Sequence, residues 1–334
     1  MGILNTSISI KSMKLHNRLV MPPMATAKAR SDGKVTEQLC DYYAEKSKGG
    51  YIGLIITEHS YVSLEGKASK GQLSISNDDD IEGLTKLVSI IHKNNTKVMA
   101  QISHAGGATE EEITGYAPLS ASSIKLPRAT DKKLLPKEMT KADIDKVITD
   151  FAYAATRAKK AGFDGIEIHS AHGYLLNQFF SPLTNKRNDE YSGNTIDGRI
   201  KLHLQIIKAI RNTVGNEYPV ALRLGACDYM NGGTTISDSI LAVKKFEIAG
   251  IDLIDISGGF CGYTHPEVKE QGYFSELSEA IKKNVSIPVI LTGGIVEAIT
   301  AERLLTNKKA DLIGVGRAIL KNSEWAKNAI LSKN

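Results

Sequence analysis

The chain has few cysteines, no long apolar run and no block of like charge, and each shortage removes a class of protein. Its three cysteines among 334 residues, Cys40, Cys227 and Cys261, are odd in number, widely spaced and outside any C-x-x-C pattern. That argues against a disulfide framework, a zinc site or an iron–sulfur cluster, and suits a reducing cytoplasm. No segment approaches the roughly eighteen uninterrupted apolar residues of a membrane span, and "MGILNTSISIKSMKLHNRLV" lacks the apolar core of a signal peptide. A myristoylation-like Gly2 with Thr6 is too short a pattern to carry weight. The formal charge of +5 comes from 42 basic and 37 acidic residues without a run of five or more of one sign, so neither a nucleic-acid arm nor an acidic tail is expected. The mild basic excess would suit an anionic cofactor.

What is present is alternation. Eight short β-branched or apolar runs recur along the chain: "RLVMPPM" (18–24), "YIGLIITE" (51–58), "KVMAQIS" (97–103), "FDGIEIHS" (163–170), "YPVALRLG" (218–225), "DLIDISG" (252–258), "IPVILTGG" (287–294) and "ADLIGVG" (310–316). Amphipathic stretches such as 36–49, 78–95 and 141–162 lie between them, two of them closing on Gly49 and Gly162 as helix C-caps do. Eight strand–helix units in about 300 residues predict an α/β protein, a (β/α)8 TIM barrel in one domain over 1–334, with its functional residues at the last residue or two of each strand. Ahead of the barrel, "SISIKSMKLHN" predicts a hairpin around Lys11–Ser12 that closes the barrel bottom. The 104–139 stretch after the third strand is too long for a simple connection and predicts a lid or capping excursion. After the fourth strand, "GIEIHSAHGYLLNQFFSPLTNKRND" shows no helical period for some twenty residues and reads as irregular.

Strand alternation turns Ile166, Ile168, Val220, Leu222 and Leu224 toward the helices, and Glu167, His169 and Arg223 into the barrel, with Gln101 beside the end of its strand. Buried polar groups must be paired, so these residues either satisfy one another, a Glu167–Arg223 pair being the simplest plug, or are satisfied by a polar ligand. Concentration at one face favours the ligand. Separately, Gly293–Gly294 and Gly316–Arg317 end the seventh and eighth strands, where many TIM barrels bind phosphate through backbone N–H groups.

The segments "NRLVMPPM", "AQISHAGG", "GIEIHSAHGYLLNQFFSPLTNKRNDEYSG", "LRLGACDY" and "IGVGRAIL" together resemble the Old Yellow Enzyme family of FMN-dependent NAD(P)H oxidoreductases, in order and over nearly the whole chain. The resemblance implies FMN as cofactor and NADH or NADPH as electron donor. It implies that Pro22, Pro23, Met24 and Ala25 lie along the flavin and that His59 belongs to the cofactor-binding set. By the same resemblance Gln101 binds the pyrimidine edge, Arg223 stabilises the charge of the reduced ring, and Gly293, Gly294, Gly316 and Arg317 form the phosphate end. His169 and His172 are the implied donors to an acceptor carbonyl, and Tyr174 the proton donor for reduction of an enone-type C=C bond.

Ala25 departs from the family, which usually carries Thr or Cys there to bond the flavin carbonyl, and Thr26 follows it. The C-terminal "AKNAILSKN" has no counterpart of the arginine with which some relatives complete a neighbour's site, so a homo-oligomer is left open. The cysteine cluster and further nucleotide-binding domains of the larger dienoyl-CoA-reductase-like relatives do not follow in this sequence. Electrons are then expected to pass directly from nicotinamide to one FMN. Two rival readings are a metal-dependent hydrolase or lyase with Glu167, His169 and His172 as ligands, and a flavin-binding sensor without turnover.

Overall fold

A computed structural model of the protein describes residues 2–127 and 135–332. The chain opens with an antiparallel hairpin, β1 (Ile8–Ile10) and β2 (Met13–Leu15), in register Ile10↔Met13 across Lys11–Ser12. Lys11 takes up the left-handed backbone that a two-residue hairpin loop demands. The following strands are β3 (Leu19–Met21), β4 (Leu54–Ile56), β5 (Ser60–Tyr61), β6 (Lys97–Ser103), β7 (Leu119–Ser120), β8 (Lys137–Glu138) and β9 (Gly165–Ser170). Last come β10 (Val220–Gly225), β11 (Leu253–Ser257), β12 (Val289–Thr292) and β13 (Leu312–Gly314).

Strands β3, β4, β6 and β9 to β13 correspond to the eight runs read from the sequence. They pair in parallel in the order β4-β3-β13-β12-β11-β10-β9-β6, and β4 pairs with β6 to close the barrel. The fold is a (β/α)8 TIM barrel. Closure leaves no edge, and helices cover the outside, so the strands can be apolar on both faces.

The two faces separate as alternation requires. Ile166, Ile168, Val220, Leu222 and Leu224 join the outer core with Phe151, Ala154, Ala155 and Ala158 of the helix Lys141–Lys160. That helix starts at Thr140, whose hydroxyl and the Asp143 carboxylate form a capping box. A second cluster fills the barrel: Val20, Leu54, Ile56, Met99, Ala221, Leu253, Ile290 and Leu312, with Ile10, Met13 and Leu15 of the hairpin. The hairpin therefore plugs the bottom, each fully buried Leu or Ile contributing about 2 kcal/mol. With the lower interior filled by hydrocarbon, only the upper layers are left for polar chemistry.

Two expectations need correction. The segment after β9 does contain a helix, Leu175–Phe180, and all six of its residues are buried. A helix without a solvent face shows no amphipathic period, which is why the sequence read as irregular. The polar residues inside the barrel also lie deeper than the last residue or two of their strands: Arg223 stands two positions before the end of β10, and Gln101 two before the end of β6.

The described parts of the 104–139 excursion pack beside the mouth, with the short helix Glu111–Thr114 and the parallel β7–β8 pair. Residues 128–134 of that stretch lie outside the described residues. Among the described residues no helix is long and apolar enough to cross a membrane.

Candidate active site at the barrel mouth

Where β9 ends, the chain makes two successive left-handed steps, His172 at φ 60° and Gly173 at φ 78°. For a non-glycine residue this conformation costs about 1 kcal/mol. Its compensation is local: His172 Nε2 and Ser257 Oγ are hydrogen-bonded at 2.7 Å, and the Gly173 N–H donates to Asn177 Oδ1 at 2.8 Å. The turn gathers three side chains at one point. The His169 ring centroid lies 5.1 Å from that of His172 and 5.0 Å from that of Tyr174, and His59 joins them at 5.5 Å from Tyr174.

Burial sets the protonation of this group. It pushes the Tyr174 phenol up to about 12, so the proton stays on oxygen throughout the physiological range. Burial first, then the neighbouring His172 and Arg223, hold His169 well below the usual imidazole value. His59 is lowered to about 4 by burial and the Arg223 charge. The pocket thus offers neutral donors and an un-ionised phenol.

Under the imidazoles lies a polar floor. Gln101 and Glu167 are register partners across β6–β9, and Gln101 Nε2 donates to Glu167 Oε2 at 2.7 Å. Arg223 is in register with His169 on one side and Asp255 on the other, its Nε 3.2 Å from Asp255 Oδ2. The Glu167–Arg223 plug, weighed as the alternative to a ligand, is not the pairing found: each residue takes the partner directly across the adjacent strand. Several buried atoms here have no hydrogen-bond partner, among them His169 Nδ1, Glu167 Oε1 and both carboxylate oxygens of Asp255. Such atoms are costly unless a ligand or water satisfies them.

The glycine-rich rim adjoins this floor. Gly294 has φ 67°, and a Cβ there would come within 2.6 Å of the Tyr273 ring and 3.4 Å of Arg317 Nη2. A Cβ on Gly316 would meet Met24 Sδ at 2.8 Å and Pro22 Cγ at 3.3 Å, so the first-strand prolines and the last-strand glycine share one wall. Exposed Arg317 donates from Nη2 to the Tyr273 hydroxyl at 2.9 Å, and that hydroxyl donates to the Tyr263 carbonyl at 2.7 Å. Gly293, at φ 157°, accepts from Gly272 N–H at 2.6 Å.

Along the same segment as Pro22 and Met24, Pro23 is partly buried and Ala25 exposed. Thr26 is not available as a substitute donor, because its hydroxyl and N–H both bond the buried Glu58 carboxylate. The Glu58 N–H in turn donates to the Tyr43 hydroxyl at 2.8 Å.

The long segment after β9 holds the excursion in place, from within its helix and beyond it. Gln178 Oε1 accepts from the Gly107 N–H at 3.0 Å and from Ser120 Oγ at 2.9 Å, while Nε2 donates to the carbonyls of Ala105 and Gly173. Arg187 Nη1 donates to the carbonyls of Ala121 and Met139, tying the middle and the far end of the excursion together.

Of the residues read from the sequence, the structure brings His59, His169, His172 and Tyr174 together over Gln101 and Arg223, and it adds Asp255, Ser257, Glu58, Tyr263 and Tyr273. Alternation in "DLIDISG" places Asp255 on the same face as Leu253 and Ser257, so that signal was present in the sequence. Tyr263 and Tyr273 lie in an irregular loop with no periodic signal. Glu167, weighed as a metal ligand with His169 and His172, is instead bonded to Gln101 in the layer below them, and among the described residues no three His, Cys, Asp or Glu side chains converge as a metal site.

Comparison with known proteins places this geometry. Residues 4–332 match the model of the NADH:flavin oxidoreductase / NADH oxidase family. The chain is 39% identical over 326 residues to an NADH oxidase of Thermoanaerobacter brockii, covering 96% of this chain and 49% of that protein. It is 40% identical over 327 residues to an NADPH dehydrogenase of Halalkalibacterium halodurans, covering 98% and 93%. The chain thus spans about half the length of the first relative and nearly all of the second. Among solved structures, an old yellow enzyme homologue from Zymomonas mobilis superimposes with a TM-score of 0.84 at 27% identity, over 97% of this chain and 91% of that one.

Proposed function

Because the chain belongs to the NADH:flavin oxidoreductase / NADH oxidase family, the family of Old Yellow Enzyme, we propose that it reduces the C=C bond of α,β-unsaturated carbonyl compounds with electrons from NADH or NADPH. The family is one of NAD(P)H-dependent flavin oxidoreductases. The observation that carries the finer reading is the convergence of His169, His172 and Tyr174 above the Arg223–Gln101 floor.

The residues present fit FMN. Orphaned buried polar atoms line the floor, a cationic Arg223 beside them would stabilise a ring that gains negative charge, and the Gly294 and Gly316 positions have no room for a side chain. Gln101 and Arg223 would hold the ring's polar edge, Pro22, Pro23, Met24, Ala25 and His59 would border it, and Gly293, Gly294, Gly316 and Arg317 would hold the phosphate. FMN, when bound, supplies the hydride that the acceptor's β-carbon receives.

The chain's own residues do the rest. His169 and His172 donate hydrogen bonds to the acceptor carbonyl oxygen and so draw electron density from the β-carbon. Tyr174 gives its phenolic proton to the α-carbon, as a phenol held un-ionised by burial can. We take 1–334 as one FMN-binding domain, the described parts of the 104–139 excursion as the cap that limits water at the mouth, and the cytoplasm as its location.

The test is direct. Purified protein is expected to be yellow, to release FMN on denaturation as identified by mass spectrometry, to bleach anaerobically with NADH or NADPH, and to recover its colour with an enone. Bleaching without recovery would confine the activity to other electron acceptors, and absence of flavin after reconstitution would refute the reading.

A further inference from the structure

Two acids and one base share the dry interior beneath the mouth. Glu167 and Asp255 have no exposed surface, and Arg223 is 6% exposed. Arg223 Nε and Asp255 Oδ2 form an ion pair at 3.2 Å, Glu167 Oε2 accepts from Gln101 at 2.7 Å, and Glu167 Oε1 and both Asp255 oxygens have no hydrogen-bond partner. The titratable groups facing them are His169 on β9, His172 beyond it and His59 beyond β4. Of these, His169 and His59 are held neutral by burial and by the Arg223 charge.

Among the described residues Arg223 is then the cation that acts on both acids. With both acids ionised the interior would carry an unpaired carboxylate, which a low-dielectric site resists by retaining a proton. Burial and then the Asp255 charge push Glu167 well above the usual carboxylate range, and burial raises Asp255 to about 6 against the pull of Arg223.

We propose that Glu167 and Asp255 form a redox-linked proton site, which holds one proton while the cofactor is oxidised and takes a second from water when the cofactor gains negative charge beside Arg223. This rests on the FMN reading above. The balance is simple. The nicotinamide gives up two electrons and one proton as hydride to the cofactor, and one further proton from solvent forms an O–H bond on the remaining carboxylate. No other bond changes. The interior stays neutral in both states: Arg223 against one carboxylate before, and Arg223 against the reduced cofactor after. Reoxidation releases the proton.

The test is anaerobic reduction of the purified holoenzyme by one equivalent of NADPH in weakly buffered solution near neutral pH, with a pH indicator read beside the flavin absorbance. A hydride alone draws no proton from water, so about one proton taken up per flavin bleached is expected, and none in the isosteric double variant Glu167→Gln/Asp255→Asn. Bleaching without uptake, or uptake that persists in the double variant, overturns the proposal.

A second measurement needs no reduction. Infrared spectra of the protein as purified should show the carbonyl stretch of a protonated carboxylic acid near neutral pH, retained in Glu58→Gln and lost in the double variant. A band that follows Glu58 instead overturns the assignment even if the double variant does not fold. Absence of flavin would refute the FMN reading and the redox link with it, absence of bleaching with NADH as well as NADPH would refute the redox link alone, and the infrared band would still report whether the pair holds a proton.

Discussion

Replacing Tyr174 with Phe separates the two half-reactions of the proposed cycle. The phenol packs against His169 and His59 through its ring, so Phe preserves the contacts at 5.0 and 5.5 Å and removes only the hydroxyl. Electron entry from NAD(P)H needs no proton from Tyr174, and its rate should be nearly unchanged. Reoxidation by an unactivated enone needs that proton at carbon and should slow by about 10²–10⁴-fold, the usual contribution of a positioned general acid. Quinones and oxygen, which accept electrons without protonation at carbon, should be spared.

The structure adds a pH test in the wild type. A tyrosine of ordinary pKa near 10 is half ionised at pH 10, whereas one raised to about 12 is only about 1% ionised there. Enone reoxidation should therefore show no alkaline loss from this group up to about pH 10–11. Stopped-flow absorbance of the flavin in both directions measures all of this. Equal slowing of both half-reactions in Tyr174→Phe would refute the assignment of Tyr174 as the acid, and a wild-type rate that halves near pH 10 would show that burial does not raise its pKa.

Three further substitutions test the surroundings. Ala25→Thr restores a hydroxyl where Thr26 cannot supply one, because Thr26 is bound to Glu58; one added bond worth about 1 kcal/mol should make the two-electron midpoint potential about 20 mV more positive by dye-linked titration, and an unchanged potential would place residue 25 away from the flavin carbonyl. Gly294→Ala puts a Cβ at φ 67° within 2.6 Å of a Tyr273 ring whose hydroxyl is fixed at both sides; FMN affinity should fall by about tenfold or more in fluorescence titration of the apoprotein, since left-handed alanine alone costs about 1–2 kcal/mol. Asp228→Ala strands three buried donors, Ser181 Oγ at 2.6 Å, Thr234 N–H at 2.7 Å and Phe260 N–H at 2.8 Å; a loss of about 3 kcal/mol or more in denaturant unfolding is expected, and a loss below about 1 kcal/mol would mean that water replaces the carboxylate.

Much of the architecture was legible in the sequence because its determinants are local. Period-two alternation in "GIEIHS" and "VALRLG" needs only neighbouring residues to decide that Glu167 and Arg223 face inward while Ile168 and Leu222 face the helices, and the structure has them so. The hairpin around Lys11–Ser12 and the eight strand runs are likewise local signals.

Partnership is not local. Alternation assigns a residue to a face but not to a neighbour. Only barrel closure and strand register, which join residues 32 to 66 positions apart, put Arg223 opposite Asp255 and Gln101 opposite Glu167. The buried helix Leu175–Phe180 left no trace in the pattern because it has no wet face to set a period. Thr26 looked available until the fold laid it against Glu58, and Tyr273 had no role until its loop brought its hydroxyl to Arg317. Composition and period thus determined which residues go inside and at which end of the barrel. Which buried charges meet, and so which protons they keep, was decided by the tertiary structure, because the energy of a buried charge depends on the few ångströms around it.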